Sequence, residues 1–333
     1  MKLSWYVFGS ILGLSLAAMS PAQTAAPVTA PPPNPKALEA VNRGDAAFAK
    51  KDLNEAIRQY QSAQQIDPHF APAFVHCGDV MVINHQIEQA RDQYQSAINL
   101  GTTDTQAYMR HARCVYQLGD VDGAIRDCDQ AIVIDMRCFD AYMFRGGCYL
   151  FKGDAETAAA DYSETVALEP KNSNTWYNYG MSQVALNNSQ LQWFAFDQVV
   201  KLNPKFAMGY CRRGAAYIDL GKPEEGLADA NKSLELSPSE PFAHYLVGRA
   251  QLDLKKMPEA MSAENKAIEL NPKYTAAFIC RGLIYERNND MDHAIADYRK
   301  ALECDPASTL AQDNLRAALQ RQNPEPHRMD RRQ

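Results

Sequence analysis

The chain has no excess of positive charge. Its 34 lysines and arginines stand against 40 aspartates and glutamates, a formal net charge of −6. A nucleic-acid reader shows a broad basic face, so this balance argues against such a partner. Catalytic and cofactor signatures are missing too: there is no GxGxxG, GxxxxGK[ST], GxSxG, HExxH, CxxC or CxxCH. No nucleophile has a base beside it, as acyl transfer requires. No enzyme is expected, and no cofactor. Long apolar runs are scarce. One uncharged stretch, residues 5–18, is shorter than the ~20 residues of a spanning helix. No cysteine follows it before Cys77, which excludes a lipid-modified N-terminal cysteine.

The two ends differ from the middle. Lys2, the apolar stretch and Ser20-Pro21-Ala22 make residues 1–22 read as a signal peptide cleaved before Gln23. The expected destination is the periplasm or the exterior. In the alternative, residues 5–18 stay in place as a membrane anchor, the one route to a membrane. Pro27, Pro31, Pro32, Pro33 and Pro35 mark residues 23–36 as an extended linker. Residues 323–333 carry Arg328, Arg331 and Arg332 around two prolines and read as a disordered basic tail, with too few charges to hold nucleic acid.

Between the ends the chain repeats. Pro170, Pro204, Pro238, Pro272 and Pro306 stand 34 residues apart, as do Gly146, Gly180, Gly214, Gly248 and Gly282. Ala56, Ala90, Ala124, Ala158, Ala260 and Ala294 share the frame, with Gln192 and Gly226 in the two places between. A fixed period of this size is the mark of stacked supersecondary units. Counting places from residue 37, eight units fill 37–308 without an insertion, and 309–322 reads as a capping helix with Leu310, Leu315, Ala318 and Leu319 on one stripe. Apolar residues at helical spacing predict two helices per unit, near places 2–14 and 17–30. Gly or Asn suits the turn between them, and Asp122 or Asp292 can cap the second helix. Gln192 and Val199, where other units have small residues, predict that the joint between units five and six is the least regular.

The clearest unit runs from Thr275 through Gly282, Tyr285, Ala294, Tyr298 and Ala301 to Pro306. It resembles the tetratricopeptide repeat, with Gly or Ala at place 8, Tyr at 11, Ala at 20, an aromatic at 24, Ala at 27 and Pro at 32. The resemblance implies an all-α fold, a right-handed α-solenoid of eight helix-turn-helix units, and a scaffold that binds protein or peptide segments in a concave groove. In such proteins places 2, 5, 9, 12 and 13 line the groove. Here they include Arg113, Met143, Phe151, Tyr177, Met181, Tyr245 and Arg249. Val41 and Asp45 stand where some members grip a C-terminal carboxylate with Lys and Asn, so that specialisation is not expected.

Other residues invite other readings. Trp193 and Phe194, with Phe196, offer a second contact patch on the outer face; packing against a neighbouring helix is the competing account. Cys128 and Cys148 are the best-placed pair for a disulfide, while free cysteine is usually a small buried apolar residue. His76, Cys77, His111 and Cys114 could meet, which leaves a metal- or haem-handling accessory subunit of an envelope enzyme as the alternative function. Their spacing is looser than metal sites show.

Overall fold

The structure, a computed structural model, describes residues 32–322. The expected signal peptide, the tail and most of the expected linker lie outside the described residues. Those described form seventeen α-helices and no strand. The first helices of the hairpins are α1 (Pro35–Ala49), α3 (Ala71–Ile83), α5 (Thr105–Gln117), α7 (Phe139–Phe151), α9 (Ser173–Ala185), α11 (Ala207–Asp219), α13 (Pro241–Asp253) and α15 (Thr275–Arg287). The second helices are α2 (Leu53–Ile66), α4 (Ile87–Asn99), α6 (Val121–Ile134), α8 (Ala155–Leu168), α10 (Ser189–Leu202), α12 (Pro223–Leu236), α14 (Met257–Leu270) and α16 (Met291–Cys304). Helix α17 (Thr309–Gln322) follows. Helix α1 begins at Pro35, inside the stretch read as linker. The proline accounts for this: its fixed φ suits the first helical position, and Asn34 caps it by accepting the Lys36 N–H.

The turn inside each hairpin is the same device eight times. Place 15 has positive φ in every unit, at Lys51, His85, Gly119, Gly153, Asn187, Gly221, Lys255 and Asn289. Glycine and asparagine accept this conformation readily, and three units impose it on Lys or His. In five units the residue after the turn caps the second helix, as where Asp120 accepts the Gly123 N–H at 2.7 Å and Asp154 that of Thr157 at 3.1 Å; Gln86, Lys222 and Lys256 hold that position without a side-chain cap. The expected caps were two residues off. Asp122 instead receives Lys152 Nζ at 2.5 Å, and Asp292 receives Gln322 Nε2 at 2.5 Å.

The chain falls into two units of contact, residues to Cys77 and from Gly78 onward. In the first, α1 packs on α2 and the Tyr60 ring covers Gly44, where an added Cβ would sit 2.5 Å from the ring. In the second, hairpins α5–α6 to α15–α16 stack in order as an all-α solenoid, and α17 closes the stack on α16. Successive first helices α11, α13, α15 and α17 touch one another, and no successive second helices pack as closely, so first helices line the inner side there. The α10–α11 joint is as close as any, against expectation. Gly209 admits Val199 and Val200, and Gln192 donates to the Gln183 carbonyl at 3.2 Å, which satisfies the amide that replaces a small residue.

A second period lies over the first. Arg145, Arg213 and Arg281 hold place 7 of the fourth, sixth and eighth units; 213 − 145 and 281 − 213 are both 68. Each grips an aspartate of its own second helix with two nitrogens: Asp161 at 2.9 and 2.6 Å, Asp229 at 2.7 and 2.8 Å, Asp297 at 2.7 and 2.7 Å. A third nitrogen reaches back to the preceding unit, to Asp129, Asp197 or Asn265, at 2.5, 2.9 and 2.7 Å. Tyr142, Tyr210 and Phe278 lie under the same guanidinium groups at 5.5, 5.6 and 5.5 Å. Each arginine therefore bolts one hairpin to the one before it.

Candidate partner-binding groove

The inner face is built by first helices, so its side chains come from places that point away from the second helix of the same unit. Phe151, at the end of α7, is 70% exposed. It stands edge-on to Tyr116 at 6.0 Å, which meets Phe144 at 5.5 Å. This makes an aromatic step on α5 and α7. Met143 and Met181 are half-buried, and Asn178 donates to the Met143 sulfur at 3.8 Å.

The expected tyrosines serve packing as well as surface. Tyr177 meets Phe196 at 5.8 Å and Phe206 at 5.5 Å. Tyr245 stacks on Phe242 at 6.2 Å and meets Tyr274 edge-on at 5.6 Å. Burial pushes the Tyr245 hydroxyl up to about 12. Each ring wedges a first helix against the turn that leads into the next hairpin.

The arginines divide by their partners. Arg249 donates to Asp219 at 2.6 Å, and Arg110 lies 3.2 Å from Asp79. Arg287 donates to the Leu252 carbonyl at 2.7 Å. Arg113 is exposed and has no carboxylate partner among the described residues. Arg212 has none either: its guanidinium lies over the Phe242 ring at 4.9 Å, and its Nε is buried without a hydrogen-bond acceptor. The sequence alone does not show that Arg212, with Arg113, is left without a carboxylate partner. Its signal was the absence of an aspartate at the places where Arg249 and Arg110 find one.

The second patch separates into parts. Phe196 is core, 0% exposed. Phe194 lies against Trp176 at 5.6 Å and is 38% exposed. Trp193 tilts against Tyr217 at 6.0 Å, with its indole nitrogen buried and unpaired. With Gln190, Leu220 and Lys222, these two rings line a recess of about 310 Å³.

Cys128 and Cys148 come together in one core, 0% and 1% exposed, and both are free thiols. Burial pushes the Cys148 thiol up to about 11 and that of Cys128 further, with the Cys148 charge adding to the effect. His76 bonds to Asp45 at 2.9 Å and His111 to Asp127 at 2.6 Å. No group of three metal-ligating side chains occurs among the described residues, nor is any helix there long and apolar enough to cross a membrane.

The stacked hairpins, the glycine-on-ring contact and the inner face define a helical-repeat scaffold. Tetratricopeptide repeat models match residues 40–70, 211–275 and 275–308. Over those stretches the chain is built from tetratricopeptide repeats. Solved structures share the fold. A tetratricopeptide repeat protein from Parabacteroides merdae is 16% identical, with a TM-score of 0.52 over 86% of this chain and 100% of that one. A chain of the APC/C hetero-tetramer Cut9–Hcn1 is 14% identical, with a TM-score of 0.56 over 84% of this chain; the match spans 55% of that chain. The MamA protein is 24% identical over 52% of this chain and 94% of its own, with a TM-score of 0.48. No curated protein matches by sequence.

Proposed function

We propose that this protein is an exported, non-enzymatic scaffold that holds an extended peptide or an amphipathic helix of a partner protein along its inner face. The observation that carries the reading is the pairing of a free cation with exposed aromatic surface on that face. Arg212 lies over Phe242 without a carboxylate, beside Tyr245, while the Phe151–Tyr116–Phe144 step stands further along the first helices. Aromatic and methionine surface gives contact area at low entropic cost, and a few such anchors dominate most interfaces. A guanidinium without an internal partner suits a carboxylate on the bound segment, which it would orient through two parallel hydrogen bonds.

Tyr177 and Tyr245 are poor choices for a test, because their truncation would also remove packing. Phe151→Ala with Arg212→Ala is cleaner. That double variant is expected to keep the wild-type helical circular dichroism and to lose the partners that crosslinking pulldown recovers with the wild type. A folded double variant that captures the same set would sink the groove reading. Export has its own measurement: mass spectrometry of the protein from its native cell should find an N-terminus near Gln23. An intact Met1 in a soluble cytoplasmic fraction would contradict it.

A further inference from the structure

Place 24 normally carries the ring that fills the space over the place-8 glycine: Tyr94 over Gly78, Tyr162 over Gly146, Phe196 over Gly180 and Tyr298 over Gly282. In the seventh unit that place is Glu264, and its carboxyl lies over Gly248. Glu264 is 0% exposed, and neither carboxyl oxygen has a hydrogen-bond partner. Other buried carboxylates are provided for. Asp161, Asp197, Asp229 and Asp297 each meet an arginine within 2.9 Å. An ionised carboxylate left alone in such a place is strongly disfavoured, and it takes up a proton instead.

The surroundings offer no rescue for a charge. Helix α13 presents Tyr245, the turn before α15 presents Tyr274, and α15 presents Cys280 and Arg281. The Cys280 thiol, 5% exposed, leans on the carboxyl without an ordinary hydrogen-bond geometry. Arg281 is already committed, with two nitrogens on Asp297 and one on Asn265, each at 2.7 Å. Arg249 is held by Asp219. Burial keeps the Glu264 carboxyl well above the usual carboxylate range, and it raises Tyr245, Tyr274 and Cys280 as well.

We propose that the joint between the seventh and eighth hairpins is a proton-operated latch. With a proton on Glu264, α13, α14 and α15 close on one another. When the proton leaves to solvent, the charge draws water in and the joint opens. Tyr245 belongs both to this cluster and to the inner face, so that end of the groove follows the latch. The latch itself does not depend on what the groove holds.

The direction follows from linkage. The folded carboxyl binds its proton more tightly than the unfolded one, whose pKa is 4.5. The stability of the joint is therefore full below that value and falls as pH rises toward the folded one. Across that window the opening equilibrium grows about tenfold per pH unit.

Native-state hydrogen exchange of the full chain, corrected for intrinsic rates, tests the proposal. Wild-type protection in α14 and α15 is expected to fall about tenfold per pH unit above the usual glutamate range. In Glu264→Gln it should not change with pH, because the amide fills the same space without titrating. Alkylation provides a second reading: Cys280 labelling, normalised to the buried Cys211, should climb with pH in the wild type and stay flat in the variant. If Glu264→Gln does not fold, Glu264→Leu takes its place. Equal pH slopes in wild type and variant, or a wild-type slope shared by every hairpin, would overturn the latch.

Discussion

Arg213→Ala is expected to lose about 3–5 kcal/mol of unfolding free energy, the usual cost of removing one partner from a buried ion pair. Arg213 is 18% exposed, and its guanidinium holds Asp229 with two nitrogens and Asp197 with a third. Alanine would leave Asp229, 9% exposed, without a counter-charge, and Asp197, 12% exposed, with Lys201 alone at 2.6 Å. It would also unfasten α11 and α12 from α10, since Asp197 belongs to the hairpin before. Adding Asp229→Asn to Arg213→Ala should recover part of the loss, because the carboxylate left without a counter-charge becomes neutral. Urea unfolding by circular dichroism measures both. A loss no larger than that of removing an exposed surface pair such as Lys232–Glu235 would show that the triad carries no such weight.

Gly214→Leu is expected to lower the melting temperature far more than Ala228→Leu. A Cβ at residue 214 would stand 3.1 Å from the Gly226 carbonyl oxygen and 3.2 Å from Asp229 Cβ. The first obstacle is backbone of the facing helix, so the larger side chain must push α11 off α12. Overpacking of this kind costs about 1–3 kcal/mol, or roughly 2–4 °C for each kcal/mol in a chain of this size. Ala228 is exposed, and leucine there should change stability by no more than about 0.5 kcal/mol. Equal losses in calorimetry would mean that the two faces of the hairpin are assigned wrongly.

Much of the architecture can be read along the chain because it rests on short-range rules. A 34-residue period sets the unit. Proline at place 32 ends it, and a left-handed residue at place 15 folds it in two. Glycine at place 8 and a ring at place 24 lock its helices. The two-unit period of Arg145, Arg213 and Arg281 was also present in the letters. It went unseen because its meaning lies in partners 16 residues away on either side, one of them in another hairpin.

The sequence by itself determined the repeat, the hairpin and the exclusion of ordinary catalytic signatures, since each depends on residues that are neighbours in the chain or recur at one interval. It also marked the inner-face places where Phe151, Tyr177 and Tyr245 fall. Only the tertiary structure decided what those places do. Arg249 and Arg212 look alike as letters; one is held by Asp219 and the other lies free over Phe242. Trp193, Phe194 and Phe196 look like one patch, yet one wall lines a recess, one ring leans on Trp176 and one is core. Glu264 looks like any helix glutamate, and only packing places its carboxyl over Gly248 with no partner. Charge, exposure and proton affinity depend on which groups meet across hairpins, and that is set by how the helices stack rather than by their order in the chain.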